Sequence, residues 1–119
     1  MPGQVPDDCT VTVATSTDLR CAEMRIAGEI DMDATPVLTD ALSRLAPLTP
    51  DRVLVDLHDV TFAGSVLPNF LATMHAGLPR GTTIEVRHCR PLIRRVLRIT
   101  GMAAIMRITD DLPDRVPGP

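Results

Sequence analysis

Val53-Leu54-Val55-Asp56-Leu57-His58-Asp59-Val60-Thr61-Phe62-Ala63-Gly64-Ser65-Val66-Leu67 is the stretch of this 119-residue chain whose reading decides the fold. Val53, Leu54 and Val55 form a continuous apolar run, the pattern of a strand buried on both faces and entered from a crossover helix. Val53 to Leu57 is therefore expected at the centre of a sheet, with Leu54 in the core. Asp56 and Asp59 flank the strand end, where short carboxylates hydrogen-bond to turn backbone. Gly64 provides either a turn conformation or clearance for a partner's backbone. Ser65 is of the type that caps a helix, and it stands where backbone N–H groups converge and stabilise an anion. Pro68 is tolerated in a first turn, and Leu67, Phe70, Leu71 and Met74 recur on one helical face until Gly77 and Pro79 end it.

Working outward, Thr10 to Ala14 alternates Val11 and Val13 with threonines. Arg20 to Ala27 alternates Ala22, Met24 and Ile26 with Glu23 and Arg25. Both have the period of two of half-buried strands, and the short Ser16-Thr17-Asp18 link makes them a hairpin. After Gly28-Glu29-Ile30-Asp31 a helix is expected from Thr35, capped by its hydroxyl and followed by Pro36 at the first helical position. Leu38, Ala41, Leu42 and Leu45 mark its buried face, and Pro47 and Pro50 end it. Downstream, Thr82 to Arg87 places Ile84 and Val86 inward with Glu85 and Arg87 outward. Pro91 opens a third helix with Leu92, Val96 and Ile99 facing inward. Arg94, Arg95 and Arg98 lie near its C-terminus, where the helix dipole favours cations, and Gly101 stops it. Ile105 to Ile108 forms a last short strand, and Asp110 to Pro119 reads as a Pro- and Asp-rich tail. The order implies an α/β chain with a mixed β-sheet and helices mainly on one face. One domain spans residues 1–119, with its core over about residues 10–109.

Composition narrows the function classes. The net charge of −3, with two Phe and no Tyr or Trp, offers neither the field nor the stacking platform that nucleic acid needs. All basic residues are Arg, so Schiff-base chemistry and a P-loop lysine are excluded. No apolar run approaches the ~20 residues of a bilayer span, and the acidic N-terminus is unlike a signal peptide, so a cytoplasmic protein without stable membrane insertion is expected. Cys9, Cys21 and Cys89 are odd in number and far apart, which fits reduced thiols. His58, His75 and His88 lack helical metal-site spacing, and no metal or cofactor is called for. His88 and Cys89, being adjacent, are read as structural. Glu29 and Asp31 have no nucleophile near them in sequence, so no catalytic residues are assigned and a non-enzymatic protein is expected.

Three motifs in order carry a resemblance to a known family. The central run is similar to an apolar strand, Asp-Leu, a turn residue, Val-Thr-Phe, then Asp-Ser-Ser-Gly-Leu. Gly28-Glu29-Ile30-Asp31 is similar to Gly-Glu-Ile/Leu-Asp, and Val96-Leu97-Arg98-Ile99-Thr100-Gly101-Met102 to Val-Leu-x-x-Thr-Gly-Leu. Together they resemble the STAS family of bacterial anti-sigma factor antagonists over roughly Val11 to Ile108. Two characters differ: the family's Asp falls on Gly64, and its phosphorylated second Ser falls on Val66, while the first Ser is kept as Ser65. The resemblance implies transcription regulation through binding of an anti-sigma factor, of the ATP-binding kinase type, with release of a sigma factor. It places partner contacts at Asp31, Gly64, Ser65, Val66, Leu67 and Asn69. Asp31 alternatively caps the first helix. With Val66 lacking a hydroxyl, the usual serine switch is not expected. Ser65, if its oxygen is engaged as a cap, is a poor phosphoacceptor. The alternative within the family is an accessory subunit of a membrane or lipid-transport complex.

Overall fold

The computed structural model describes residues 9–18 and 20–109; the N-terminal segment and the Pro- and Asp-rich tail lie outside the described residues. Strands β1 (Thr10–Thr15) and β2 (Cys21–Ile30) form the expected antiparallel hairpin. Helix α1 (Thr35–Leu45), strand β3 (Arg52–Ala63), helix α2 (Val66–Gly77), strand β4 (Thr83–Arg87), helix α3 (Pro91–Ile99) and strand β5 (Arg107–Ile108) follow. Among the described residues the sheet order is β1-β2-β3-β4-β5, and every pairing after the hairpin is parallel, so β3 is central as its apolar run requires. The last strand is half the expected length, because Met102–Ala104 turns as a short 3-10 segment before it.

One face of the sheet is dry. Met24 and Ile26 of β2, Val53, Val55 and Leu57 of β3, and Val86 of β4 are fully buried, and they pack in one cluster with Leu38 and Leu45 of α1, Leu67, Leu71 and Met74 of α2 and Leu97 of α3. The other face carries charge. In register across it, Arg25 of β2 pairs with Asp56 of β3 and Arg87 of β4, while Glu23 pairs with Leu54 and Glu85. Leu54 is only half-buried there, which corrects the expectation of a strand covered on both sides. Helices cover one face, so alternate residues of the apolar run meet ion pairs instead of a second layer.

One helix end and one helix face differ from the sequence reading. Thr35 caps nothing: the turn begins earlier, as a 3-10 segment Met32–Ala34 whose first N–H groups are held by Asp31. The Asp33 N–H donates to the Asp31 carboxylate at 3.0 Å, and the Ala34 N–H to the Asp31 carbonyl at 2.9 Å. A carboxylate two residues ahead of an N–H makes a tighter local ring than a hydroxyl already inside the helix. In α3 the inward face is set by Ile93 and Leu97, whereas Leu92 and Ile99 are 73% and 74% exposed and Val96 half-buried. The helix has apolar residues on two adjoining stripes, and its orientation on the sheet selects one of them. Gly101 ends it at φ 83°, a left-handed conformation that glycine adopts without a Cβ penalty.

Candidate functional site: the loop between β3 and α2

The ends of β2 and β3 build this site. The β3 strand is longer than its apolar run because it continues through Val60 to Ala63 along β2. Register shifts between Arg25 and Ala27 and between Gly28 and Glu29 absorb the extra residues. Gly28 sits at the second shift with φ 95°, which accounts for a glycine opening the Gly-Glu-Ile-Asp motif. Beyond β4 the β3 backbone has no strand partner on that side among the described residues, and the Arg90 guanidinium donates to the Val60 carbonyl at 2.9 Å in its place. The Gly64 N–H then donates to the Ile30 carbonyl at 3.1 Å. That bond ties the loop to the end of β2, so Asp31 and the segment from Gly64 onward share one end of the molecule.

At Gly64 the fold does not demand glycine. Positive φ angles among the described glycines fall at Gly28 and Gly101, and a Cβ on Gly64 would meet the Phe62 ring at 3.8 Å, an ordinary contact. Ser65 occupies the position before α2 in helical conformation (φ −64°, ψ −14°), and its hydroxyl makes no capping hydrogen bond. A cap needs extended backbone to bring the side chain back over the first N–H groups, and this one is already helical. The expectation that Ser65 is engaged as a cap is thus corrected: its side chain is exposed.

The residues that follow point in different directions, as successive positions at a helix entry must. Val66 turns into a groove of about 220 Å³ between α1 and α2, together with Thr35, Leu38, Leu42, Asn69 and Phe70. Leu42, expected inward, is half-buried because it lines this groove. Leu67 is wholly buried in the core, so it anchors α2 and presents no contact surface, contrary to its place among the expected contacts. Asp31, Gly64 and Val66 are partly exposed and Ser65 and Asn69 exposed. Met32 and Phe62, not singled out from sequence, flank the loop at 80% and 54% exposure. Large apolar side chains left in water beside a polar loop are the signal that could have found them.

A second cluster forms on the open face. Asp56 accepts from the His58 N–H at 2.9 Å and contacts the His88 ring at 3.0 Å and Arg25 at 3.7 Å. Burial alone would raise the Asp56 carboxyl, but the His58 N–H, His88 and Arg25 together hold it below the ordinary carboxylate value. The His58 and His88 rings meet edge to face at 6.0 Å, and with Asp59 they line a hollow of about 200 Å³. His88 has φ 62°, which aims it back over the sheet while Cys89 turns into the core, so the two do not act as a pair. No group of three metal-ligating side chains assembles among the described residues. At the C-terminal end of β2, burial and then the Asp31 charge push the Cys9 thiol up, away from reactive thiolate.

The fold and site define a small α/β domain with an exposed loop, an adjoining groove and apolar flanks at one end. A family model described as "Mlab, STAS domain" matches residues 13–109, and the chain belongs to the STAS domain family. It is 29% identical over 113 residues to the anti-sigma-F factor antagonist RsfB of Mycobacterium tuberculosis, covering 95% of this chain and 91% of that one. Its fold superposes on the crystal structure of an anti-sigma factor antagonist from Mycobacterium paratuberculosis with a TM-score of 0.81 at 29% identity, covering 92% of each chain. The fold is shared more distantly by a STAS domain protein from Planctomyces limnophilus, with a TM-score of 0.69 at 16% identity over 85% of this chain and 89% of that one. Among the described residues no helix is long and apolar enough to cross a membrane.

Proposed function

We propose that this chain is an anti-sigma factor antagonist: it binds an anti-sigma factor of the ATP-binding kinase type in the cytoplasm and so releases a sigma factor for transcription. It acts by binding, and any chemistry belongs to the partner. The observation that carries the reading is the similarity to RsfB across nearly the whole of both chains. The local geometry supports it, since the Gly64 to Ile30 hydrogen bond holds Asp31 and the exposed Ser65 loop at one end, beside the groove lined by Val66 and Asn69. Contacts are assigned to Asp31, Gly64, Ser65, Val66 and Asn69. Gly64, which the fold does not require, leaves room for the partner's backbone.

The antagonist works without the usual serine switch. Val66, which the family resemblance sets against the phosphorylated serine, has no hydroxyl and lines the α1/α2 groove. The exposed Ser65 hydroxyl lies one residue earlier, about 100° around the helix entry, so a kinase that aligns its γ-phosphate with the next residue would not meet it. Two measurements test this. Ser65→Asp, which puts a charge into the contact, is expected to weaken binding of the cell's own anti-sigma factor about tenfold, or ~1.4 kcal/mol, in a calorimetric titration. Mass spectrometry after incubation with that partner and ATP is expected to show little phosphoserine at Ser65. Equal affinity of both forms would move the interface elsewhere, and near-stoichiometric phosphate on Ser65 would restore an ordinary on-off cycle one residue earlier.

A further inference from the structure

Helix α3 holds two rows of apolar residues where a surface helix of its length needs one. Ile93 and Leu97 are buried against the sheet, and beside them Leu92, Val96 and Ile99 run along an outer stripe at i, i+4 and i+7. Leu92 and Ile99 are among the most exposed large apolar side chains described, at 73% and 74%. The stripe is not isolated. Leu92 and Val96 line a hollow of about 290 Å³ with Phe62 and Ala63, and Ala63 leads directly into Gly64 and Ser65. Its outer margin is cationic: Arg95 and Arg98 are exposed and form no ion pair among the described residues. Residues 90–98 contain four arginines and no acidic residue, in a chain whose net charge is −3. Several arginines elsewhere have local carboxylates, as Arg52 and Arg87 have Glu85.

We infer that the outer stripe of α3, continuous with Phe62, is a docking surface for an amphipathic helix of the anti-sigma factor that presents an aliphatic row edged by carboxylates. The inference rests on the function proposed above and adds a second contact region to the loop. Aliphatic side chains of the partner enter the hollow beside Phe62, which removes Leu92 and Ile99 from water. Carboxylates on the partner's margin meet Arg95 and Arg98, which have no competing acid on their own helix. A flat anionic membrane fits less well. The hollow is concave, and α3 is nine residues long with its opposite face already committed to the core. A second copy of this chain would bring the same cationic margin against itself.

The test titrates the purified anti-sigma factor of the same cell against the full chain and three variants. Leu92→Glu with Ile99→Glu is expected to weaken binding roughly 100-fold, the scale of two central apolar contacts. Arg95→Glu with Arg98→Glu is expected to cost about tenfold and to reduce the dependence of affinity on salt. Leu92→Ala with Ile99→Ala, which adds no charge and keeps the helix, is expected to weaken binding in the same direction and stands in if the Glu variant does not fold. Affinity unchanged in all three while Ser65→Asp still weakens binding would overturn the α3 surface and leave the proposed function intact. If the wild-type chain does not bind the anti-sigma factor, the function and this surface fall together. Vesicles of phosphatidylglycerol that retain the wild-type chain but not the Leu92/Ile99 variant, with anti-sigma affinity unchanged, would reassign the stripe to a membrane. A self-association lost in that variant under the same condition would reassign it to a second copy.

Discussion

The two faces of the sheet are built from the same strands on opposite principles. On the covered face, Met24, Val55 and Val86 line up in neighbouring strands and lose all contact with water beneath the helices. On the open face, one residue along each strand, Arg25, Asp56 and Arg87 line up instead, and Glu85 accepts from Arg52 and Arg87 at 3.0 Å each. The covered face is stabilised by apolar area removed from water, which does not depend on pH. The open face is stabilised by carboxylates whose charge has to persist. The difference shows how one apolar strand can serve a domain with helices on a single side: Leu54 stays half-buried among charged side chains, and its neighbours two steps along supply the ion pairs.

Substitution on the covered side is where the largest effect is expected. Leu57→Ala and Leu97→Ala, both at fully buried positions, should each cost about 2 to 5 kcal/mol through lost transfer free energy and the cavity left behind. Urea denaturation measures it, and a loss under ~1 kcal/mol would mean that the core is misplaced. The same measurement on Leu54→Ala should give roughly half as much or less, since part of its surface already meets water. Equal losses at 54 and 57 would mean that the open face is covered in solution and would break the comparison.

Acid should distinguish the faces next. For Asp56, burial raises the carboxyl but the His58 N–H, His88 and Arg25 outweigh it; for Glu85, burial is likewise outweighed by Arg52 and Arg87. Both groups therefore lie below their ordinary values of 3.8 and 4.5. A depressed folded-state value contributes stability that is present above the unfolded value and lost as pH falls through the folded one. Unfolding midpoints should hold from pH 7 to about 5 and then decline, and in Asp56→Asn with Glu85→Gln that decline should be shallower. An identical acid limb in the variant would show that these pairs do not couple to folding. The smallest effect is expected at Leu92→Ala and Ile99→Ala, whose exposure leaves folding stability within about 0.5 kcal/mol of wild type. A loss comparable to that of Leu97→Ala would place the outer stripe of α3 in the core and remove it as a binding surface.

The buried face of helix α2 was legible in the sequence because Leu67, Phe70, Leu71 and Met74 recur as one row, and that row is buried. Helix α3 was not, since Leu92-Val96-Ile99 and Ile93-Leu97 are both acceptable helical rows and periodicity cannot rank them. At the site, the loop and its neighbourhood with Asp31 were legible from motif order, and the flanking Phe62 was not. Separately, counting alternate residues from Val53 buries Asp59 and Thr61 and exposes Val60, the reverse of what the register shifts of β3 against β2 produce. Likewise Ser65 has the residue type of a cap, but its backbone is already helical and withdraws the hydroxyl from that role.

By itself the sequence determined the element order, the central strand, the helix stops at Gly77 and Gly101 and the family, because periodicity, turn residues and spaced motifs are local properties of the chain. Only the tertiary structure decided which row of α3 is wet, that Leu54 lies among charges and that His58 and His88 meet over Asp56. It also freed the Ser65 hydroxyl. Each of these depends on how an element is rotated or shifted against a neighbour distant in sequence, and the packing free energy that fixes rotation and register is a sum over contacts that no local stretch contains.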